Sequence, residues 1–326
     1  MQPRTILVTG GAGYIGAPLC IRLRRDGHRV RVLDALLFGQ EHVARELERS
    51  GVEVVRGDVL DSLARTRALD GVDTVVHLAA IVGDPACSRD PDKATAVNVG
   101  ATRQLLADLQ DRRIERFVFA STCSNYGRVA DPDVLATEDS PLAPVSLYAE
   151  QKVAVETELL DGAWPGLLPT CLRFATVYGV APRMRFDLTV NEFTRELWAD
   201  RELQVYGEQF WRPYVHVDDA GAAVVLVLDQ PAENVSRVVF NVGSTSENYR
   251  KLDIVEVVQE HVSSGAVSYV HQVEDPRDYR VSFEKIAREL GYRPAATLAD
   301  GVQELVAALD AQTFVDPYDP QYSNTP

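Results

Sequence analysis

The chain has 326 residues, 46% hydrophobic and 25% charged, with a formal net charge of −15. That length buries a large core, in one big domain or two unequal lobes, and the acidic balance excludes general nucleic-acid binding because it repels phosphate backbones. No apolar stretch approaches the roughly 18 residues that cross a bilayer, and MQPRTILVTGGAGYIG shows no basic region leading into an export signal. A soluble cytoplasmic protein is expected. Its four cysteines, Cys20, Cys87, Cys123 and Cys171, are widely spaced without a CxxC pair, so they are read as free thiols rather than a disulfide frame or a metal site.

From the N-terminus, β-branched runs at 5–9, 29–33, 52–56, 74–78 and 116–121 alternate with amphipathic patterns at 15–26, 41–49, 62–69, 93–111 and 147–160. Strands separated by helices predict an α/β fold, a doubly wound parallel sheet covered on both faces. A sixth strand at 170–174 extends it. Beyond Tyr178 the order loosens: a helix at 188–199, a strand at 203–206, then WRPYVHVDDA, a helix at 218–228 and a strand at 238–242. The remainder reads as a smaller α+β lobe ending in a proline-rich polar surface tail, VDPYDPQYSNTP. The expected division is a dinucleotide-binding domain of residues 1–177 plus 213–243 and a substrate lobe of 178–212 plus 244–326.

Gly10, Gly13 and Gly16 follow the first strand and open the first helix. One glycine permits the tight turn, one lets the backbone approach a pyrophosphate, and one lets helix and strand pack closely. The helix N-terminus, with Tyr14 and Ile15 leading into it, then offers free N–H groups and positive dipole to phosphates. This is a Rossmann-like fingerprint in its required context. Asp34 ends the second strand 18 residues after Gly16. A carboxylate there accepts bonds from ribose hydroxyls and repels a 2′-phosphate, so the cofactor is expected to be NAD rather than NADP. Asp58, with Val59 in RGDV, is placed either on the adenine amino group or as a loop cap.

Tyr148 and Lys152 lie four apart on a predicted helix and so share a face. A tyrosine loses its proton near pH 10; a neighbouring ammonium and a positive nicotinamide would lower that value and make it a base. Ser121, Thr122, Cys123 and Ser124 close the fifth strand, and ligands bind outside the carboxyl ends of strands in such sheets. Each has the alternative role of a capped turn or, for Cys123, simple packing; a stabilised thiolate would make Cys123 an acid or base. The chain holds only four lysines, Lys93, Lys152, Lys251 and Lys285, which makes the one beside Tyr148 conspicuous.

Taken together, TGGAGYIG, Asp34, GDV, HLAA, the serine–threonine cluster before NYG, and YAEQK resemble the extended short-chain dehydrogenase/reductase family, and within it the NAD-dependent sugar-nucleotide epimerases and dehydratases. RFATVYG, RPYVHVDDA and EDPRDYRVSFEKIARELGY follow in the expected order, so the resemblance covers nearly the whole chain. It implies Tyr148 as base, Lys152 as its electrostatic partner and ribose ligand, Thr122 as the third hydroxyl, and Leu78, Ala79 and Ala80 beside the nicotinamide. It implies Arg212 and Arg277 as ligands of a nucleotide-sugar diphosphate, which suits an acidic protein that must hold an anion locally.

The implied reaction is transient oxidation of a sugar hydroxyl, usually at C4, with the cofactor recycled. Two departures shape the expectation. The 4,6-dehydratases of the family carry Asp-Glu directly after the threonine, where this chain has Cys123 and Ser124; without those carboxylates simple dehydration is disfavoured. Many 4-epimerases have asparagine where this chain has Thr176, so the sugar contacts differ. The leading expectation is a sugar-nucleotide epimerase. The alternatives are an NAD(P)H-dependent 4-ketoreductase or other keto-sugar modifier, and a dinucleotide-binding scaffold without catalysis. The loop 81–94, with Cys87, has no assigned role. Excess apolar surface on the helices at 93–111 and 147–160 points to a homodimer, as in relatives where such helices pair across a twofold axis.

Overall fold

The computed structural model of the chain describes residues 3–110, 112, 114, 116–129, 134–272 and 277–324. Its contacts divide into two compact units. Unit 1 comprises Met1–Thr122, Ser146–Arg173 and Gly221–Phe240; unit 2 comprises Cys123–Val145, Phe174–Ala220 and Asn241–Pro326. Residues 123–145, 174–177, 213–220 and 241–243 group with unit 2, whereas the expected division counts them with the dinucleotide-binding domain.

The strands are β1 (Thr5–Thr9), β2 (Arg29–Asp34), β3 (Glu53–Arg56), β4 (Thr74–His77), β5 (Arg116–Thr122), β6 (Leu168–Phe174), β7 (Thr176–Tyr178), β8 (Leu203–Tyr206), β9 (Trp211–His216), β10 (Val238–Val242), β11 (Asn248–Arg250) and β12 (Val267–Val270). Seven form one sheet in the order β10-β6-β5-β4-β1-β2-β3. The pairs β1–β2, β1–β4, β2–β3 and β4–β5 are all parallel, with Thr9 opposite both Leu33 and His77. The strand order reverses between β1 and β4, and in open α/β sheets ligands bind outside the carboxyl ends of the strands at such a point. Leu7, Leu33, Val75, Leu105, Phe117, Val155 and Cys171 belong to one buried apolar cluster of unit 1. The inner strands β1, β4 and β5 are buried nearly throughout because both faces are covered, whereas β3 at the edge carries Glu53 and Arg56 exposed. In unit 2, β7 pairs parallel and β11 antiparallel with β9, and β12 pairs parallel with β8.

Two expectations about elements are corrected. The helix expected at 93–111 is three pieces: Pro91–Thr95, a π-helical turn Ala96–Ala101, and Thr102–Gln110. Asp111 lies outside the described residues. The break centres on Asn98, whose carbonyl accepts the Thr102 hydroxyl at 2.8 Å while its amide bonds both the N–H and the C=O of Ile81. Side-chain bonds here compete with the regular backbone ladder. The polar C-terminal segment is not a loose tail. The Phe186 N–H donates to the Tyr322 carbonyl at 2.8 Å, and the Tyr322 ring meets Phe186 and Phe314 edge-on at 5.8 and 5.5 Å. Aromatic packing, invisible to a count of prolines and polar residues, docks it. Thr325 and Pro326, like the Glu274-Asp275-Pro276 start of the late motif, lie outside the described residues.

Candidate active site

In unit 1 the glycine loop crosses the switch point between β1 and β4. Gly10 has φ +69°, and a Cβ there would sit 2.8 Å from the Ala79 nitrogen, so the turn and the close approach to Leu78 and Ala79 both demand glycine. A Cβ on Gly16 would meet the Gly10 oxygen at 2.4 Å and the Gly11 Cα at 2.7 Å, which ties the helix start to the loop. At Gly13 a Cβ would touch only the Gly10 oxygen, at 3.0 Å. The helix Gly16–Arg25 begins with no side-chain cap at Ile15, and Tyr14 is buried beside it. An uncapped helix N-terminus behind a backbone cradle fits a dinucleotide pyrophosphate.

Asp34 is buried at the end of β2. Its two oxygens accept the Ala12 and Leu36 N–H groups, each at 2.9 Å, so it fastens the glycine loop to the second strand. Asp58 Oδ1 caps the Leu60 N–H at 2.9 Å, which realises the loop-cap role, and Val59 is buried.

The helix Leu147–Leu160 is capped by the Ser146 hydroxyl on the Ala149 N–H. It carries Tyr148, half-buried, and Lys152, 4% exposed. As the four-residue spacing predicts, the two share a face: the Lys152 ammonium lies 5.9 Å from the Tyr148 ring centroid. The same ammonium donates to the Ala120 carbonyl at 2.7 Å and stands 4.6 Å over the Phe119 ring. That bond brings Lys152 to the carboxyl end of β5, two residues before the buried Thr122. Burial pushes the lysine down to about 8, which leaves a cation beside the phenol at neutral pH, where it favours the phenolate.

Ser121 is turned toward a buried carboxylate. Its hydroxyl donates to Glu156 Oε2 at 2.5 Å, and Arg173 Nε donates to Glu156 Oε1 at 3.0 Å, all three being almost wholly buried. A buried carboxylate claims every donor in reach, and it claims Ser121. The spacing Tyr148, Lys152, Glu156 repeats every four residues, so helical periodicity extended by one turn would have found this partner. A second network missed from sequence runs from Ala79 through β1 and β4 to the π turn. The Ala79 N–H donates to Thr9 Oγ1 at 3.3 Å; Thr9 Oγ1 meets His77 Nδ1 at 2.7 Å, and His77 Nε2 meets Thr102 Oγ1 at 2.9 Å. Because the Thr102 proton is given to the Asn98 carbonyl, Thr102 accepts from His77 Nε2–H, and Nδ1 accepts from Thr9. The histidine of HLAA is thus a neutral tie between the glycine loop, the Ala79 backbone and the π turn.

Unit 2 holds the other predicted residues. Cys123 is 1% exposed in the 3₁₀ turn Cys123–Tyr126, so it packs. Ser124 hydrogen-bonds the phenol of Tyr279. Thr176 opens β7 opposite Tyr214 of β9. Arg212, on β9, donates to the Trp211 carbonyl at 2.6 Å and lies 5.5 Å from the Tyr279 ring centroid. Arg277 is part-exposed, and its charge, like that of Arg212, acts on the same phenol. Ser124 and Arg212 therefore meet at Tyr279, a residue the sequence did not single out.

A model of the NAD dependent epimerase/dehydratase family matches residues 6–243. The chain belongs to this family and is an NAD-dependent enzyme on a Rossmann-like fold. It is 29% identical over 311 residues to a UDP-glucose 4-epimerase of Corynebacterium glutamicum, covering 90% of this chain and 91% of that one. It is 31% identical over 316 residues to a dTDP-glucose 4,6-dehydratase of Streptomyces niveus, covering 92% and 91%. Among solved structures, it resembles the UDP-glucuronic acid 4-epimerase of Bacillus cereus in complex with UDP-glucuronic acid and NAD, with a TM-score of 0.85, 26% identity, and 95% and 100% of the two chains covered. Among the described residues no helix is long and apolar enough to cross a membrane.

Proposed function

We propose that this chain is a nucleoside-diphosphate-sugar epimerase acting at C4, with Tyr148 as the base. The observation that carries it is the Tyr148–Lys152 face: a desolvated ammonium 5.9 Å from the phenol ring and anchored on the Ala120 carbonyl, beside Thr122. NAD, when bound, supplies a reversible two-electron oxidation at the sugar carbon. The residues do the rest. Gly10, Gly13, Tyr14, Ile15 and Gly16 receive the pyrophosphate, Asp34 the adenine ribose, and Asp58 with Val59 the adenine side. Lys152 keeps a positive charge next to Tyr148, and Thr122 shares the proton that Tyr148 takes from the C4 hydroxyl. Arg212 and Arg277 hold the diphosphate, with Thr176 on the sugar. Unit 1 carries the dinucleotide-binding role and unit 2 the substrate-binding one.

The choice of epimerisation over dehydration rests on Cys123 and Ser124. Where the family's 4,6-dehydratases carry Asp-Glu, a buried thiol and a hydroxyl bound to Tyr279 offer no carboxylate to work at C5 and C6. The 4-epimerases among the relatives and solved structures support the same reading.

The test is a panel of UDP-, dTDP-, GDP- and CDP-sugars incubated with the purified protein without added cofactor, the products read by NMR. An epimer mixture is expected from at least one sugar, and Tyr148→Phe should cut its rate by about 10²–10⁴ with NAD still bound. Turnover only with added NADH or NADPH, a 4-keto-6-deoxy product, or indifference to Tyr148→Phe would each sink the proposal. We further infer a cytoplasmic homodimer pairing through the helices Thr102–Gln110 and Leu147–Leu160. Sedimentation at micromolar concentration should give twice the chain mass, and a monomer would end that inference.

A further inference from the structure

The acidic chain must hold a diphosphate with few cations, so the way those cations are presented matters. Tyr279 is 3% exposed and stands at the centre of that presentation. Its ring lies 5.5 Å from the Arg212 guanidinium carbon and 6.4 Å from the Tyr126 ring. Its hydroxyl and that of Ser124 share a hydrogen bond. Its backbone is stitched to the same place: the Tyr279 N–H and Arg212 Nη1 both donate to the Trp211 carbonyl, at 3.5 and 2.6 Å, while the Trp211 N–H donates to Asp278 Oδ1 at 2.8 Å. Burial pushes the phenol up to about 12, so at neutral pH the ring is uncharged and offers Arg212 its face without forming an ion pair that would compete with a phosphate. A long arginine loses rotamer freedom when it binds; an aromatic platform removes part of that cost beforehand.

We propose that Tyr279 is a positioning residue for the diphosphate clamp, its ring presenting Arg212 and its hydroxyl tying that ring to Ser124 on the segment after β5. This rests on the reading of Arg212 and Arg277 as diphosphate ligands. It assigns Ser124 a role that dehydration chemistry would not give it: the hydroxyl steadies the anion site.

The experiment measures UDP, dTDP and UMP binding by calorimetry to the NAD-loaded full chain, as wild type, Tyr279→Phe, Tyr279→Leu, Ser124→Ala and the Ser124→Ala/Tyr279→Phe double variant, with bound NAD and melting temperature followed in each. Tyr279→Leu should weaken the diphosphate about tenfold, the weight of one desolvated cation–π contact, and shrink the preference for UDP over UMP. Tyr279→Phe and Ser124→Ala should each weaken it about two- to threefold, one part-buried hydrogen bond, with the double variant no worse than either, because both remove the same bond. A Tyr279→Leu protein that binds UDP like wild type, or that loses UDP and UMP in equal proportion, overturns the inference and leaves the proposed function standing. Additive effects of Tyr279→Phe and Ser124→Ala overturn the tie to Ser124, and these two variants keep the test decisive if Tyr279→Leu does not fold. A wild type that binds neither UDP nor dTDP removes the diphosphate reading and this inference with it.

Discussion

Two of the buried histidines, His77 of unit 1 and His216 of unit 2, are driven in opposite directions by their neighbours. His77 in unit 1 is 1% exposed between the hydroxyls of Thr9 and Thr102. Burial, helped by the Lys152 charge, pushes it down to about 3. His216 in unit 2 is 6% exposed, yet it lies above its ordinary value. Burial alone would lower it, but the 2.8 Å bond to Glu304 and the charges of Glu304, Asp218 and Asp219 outweigh that. Protonation gives up the 3.3 Å bond from the Asp218 N–H to Nδ1, the weaker of its two contacts. Burial sets the cost of charge; the partner decides whether the charge is kept.

The carboxylates follow the same contrast. Glu156 in unit 1 is sealed with Arg173, their side chains 2% and 4% exposed, whereas Glu304 in unit 2 is 42% exposed. Breaking the first pair should have the largest effect. Glu156→Gln leaves the Arg173 charge buried without its counter-ion and should cost about 3–5 kcal/mol, read as a fall in the denaturation midpoint. Replacing both residues by leucine should recover much of it. A single variant as stable as wild type would show that unit 1 tolerates an unpaired buried charge.

His77 sharpens the comparison through pH. The unfolded histidine takes a proton near 6.5, which the folded site refuses until about 3. Stability contributed above 6.5 is therefore lost progressively as pH falls from 6.5 towards 3. His77→Gln keeps a donor and an acceptor without titrating, so its denaturation midpoint should be flatter across that window, on a lower plateau. An unchanged slope would mean that other groups carry the acid response.

The smallest effect belongs to His216. Its folded value is raised, so its contribution is fully present below 6.5 and lost as pH rises through that raised value. Glu304→Gln should abolish this alkaline loss at a cost below about 1 kcal/mol, since the carboxylate is screened by water. Urea titrations at pH 6 and 9 check it: the difference between the two should change in the variant by the His216 share alone, since Lys152, which also titrates near 8, is common to both proteins.

Much of unit 1 was legible from the chain alone because its signals are local. The β-branched run at 5–9 placed β1 and the alternation with helices placed the parallel sheet, and glycines at 10 and 16 stand where a turn and close backbone contacts demand them. The Tyr148–Lys152 face needed only helical geometry. The three-part helix around Asn98 was not legible, since a π turn changes which carbonyls are bonded without disturbing the apolar pattern that periodicity reads.

By itself the sequence determined the strand and helix order, the glycine cradle and the pairing of a phenol with an ammonium one helical turn away, all properties of neighbours along the chain. The folded structure alone decided that Ser121 serves Glu156, that His77 is neutral between two threonines, and that Tyr279 joins Ser124 and Arg212. These depend on contacts between residues far apart in the chain and on the water they exclude. Charge and hydrogen bonding take their strength from that exclusion, which no local pattern records.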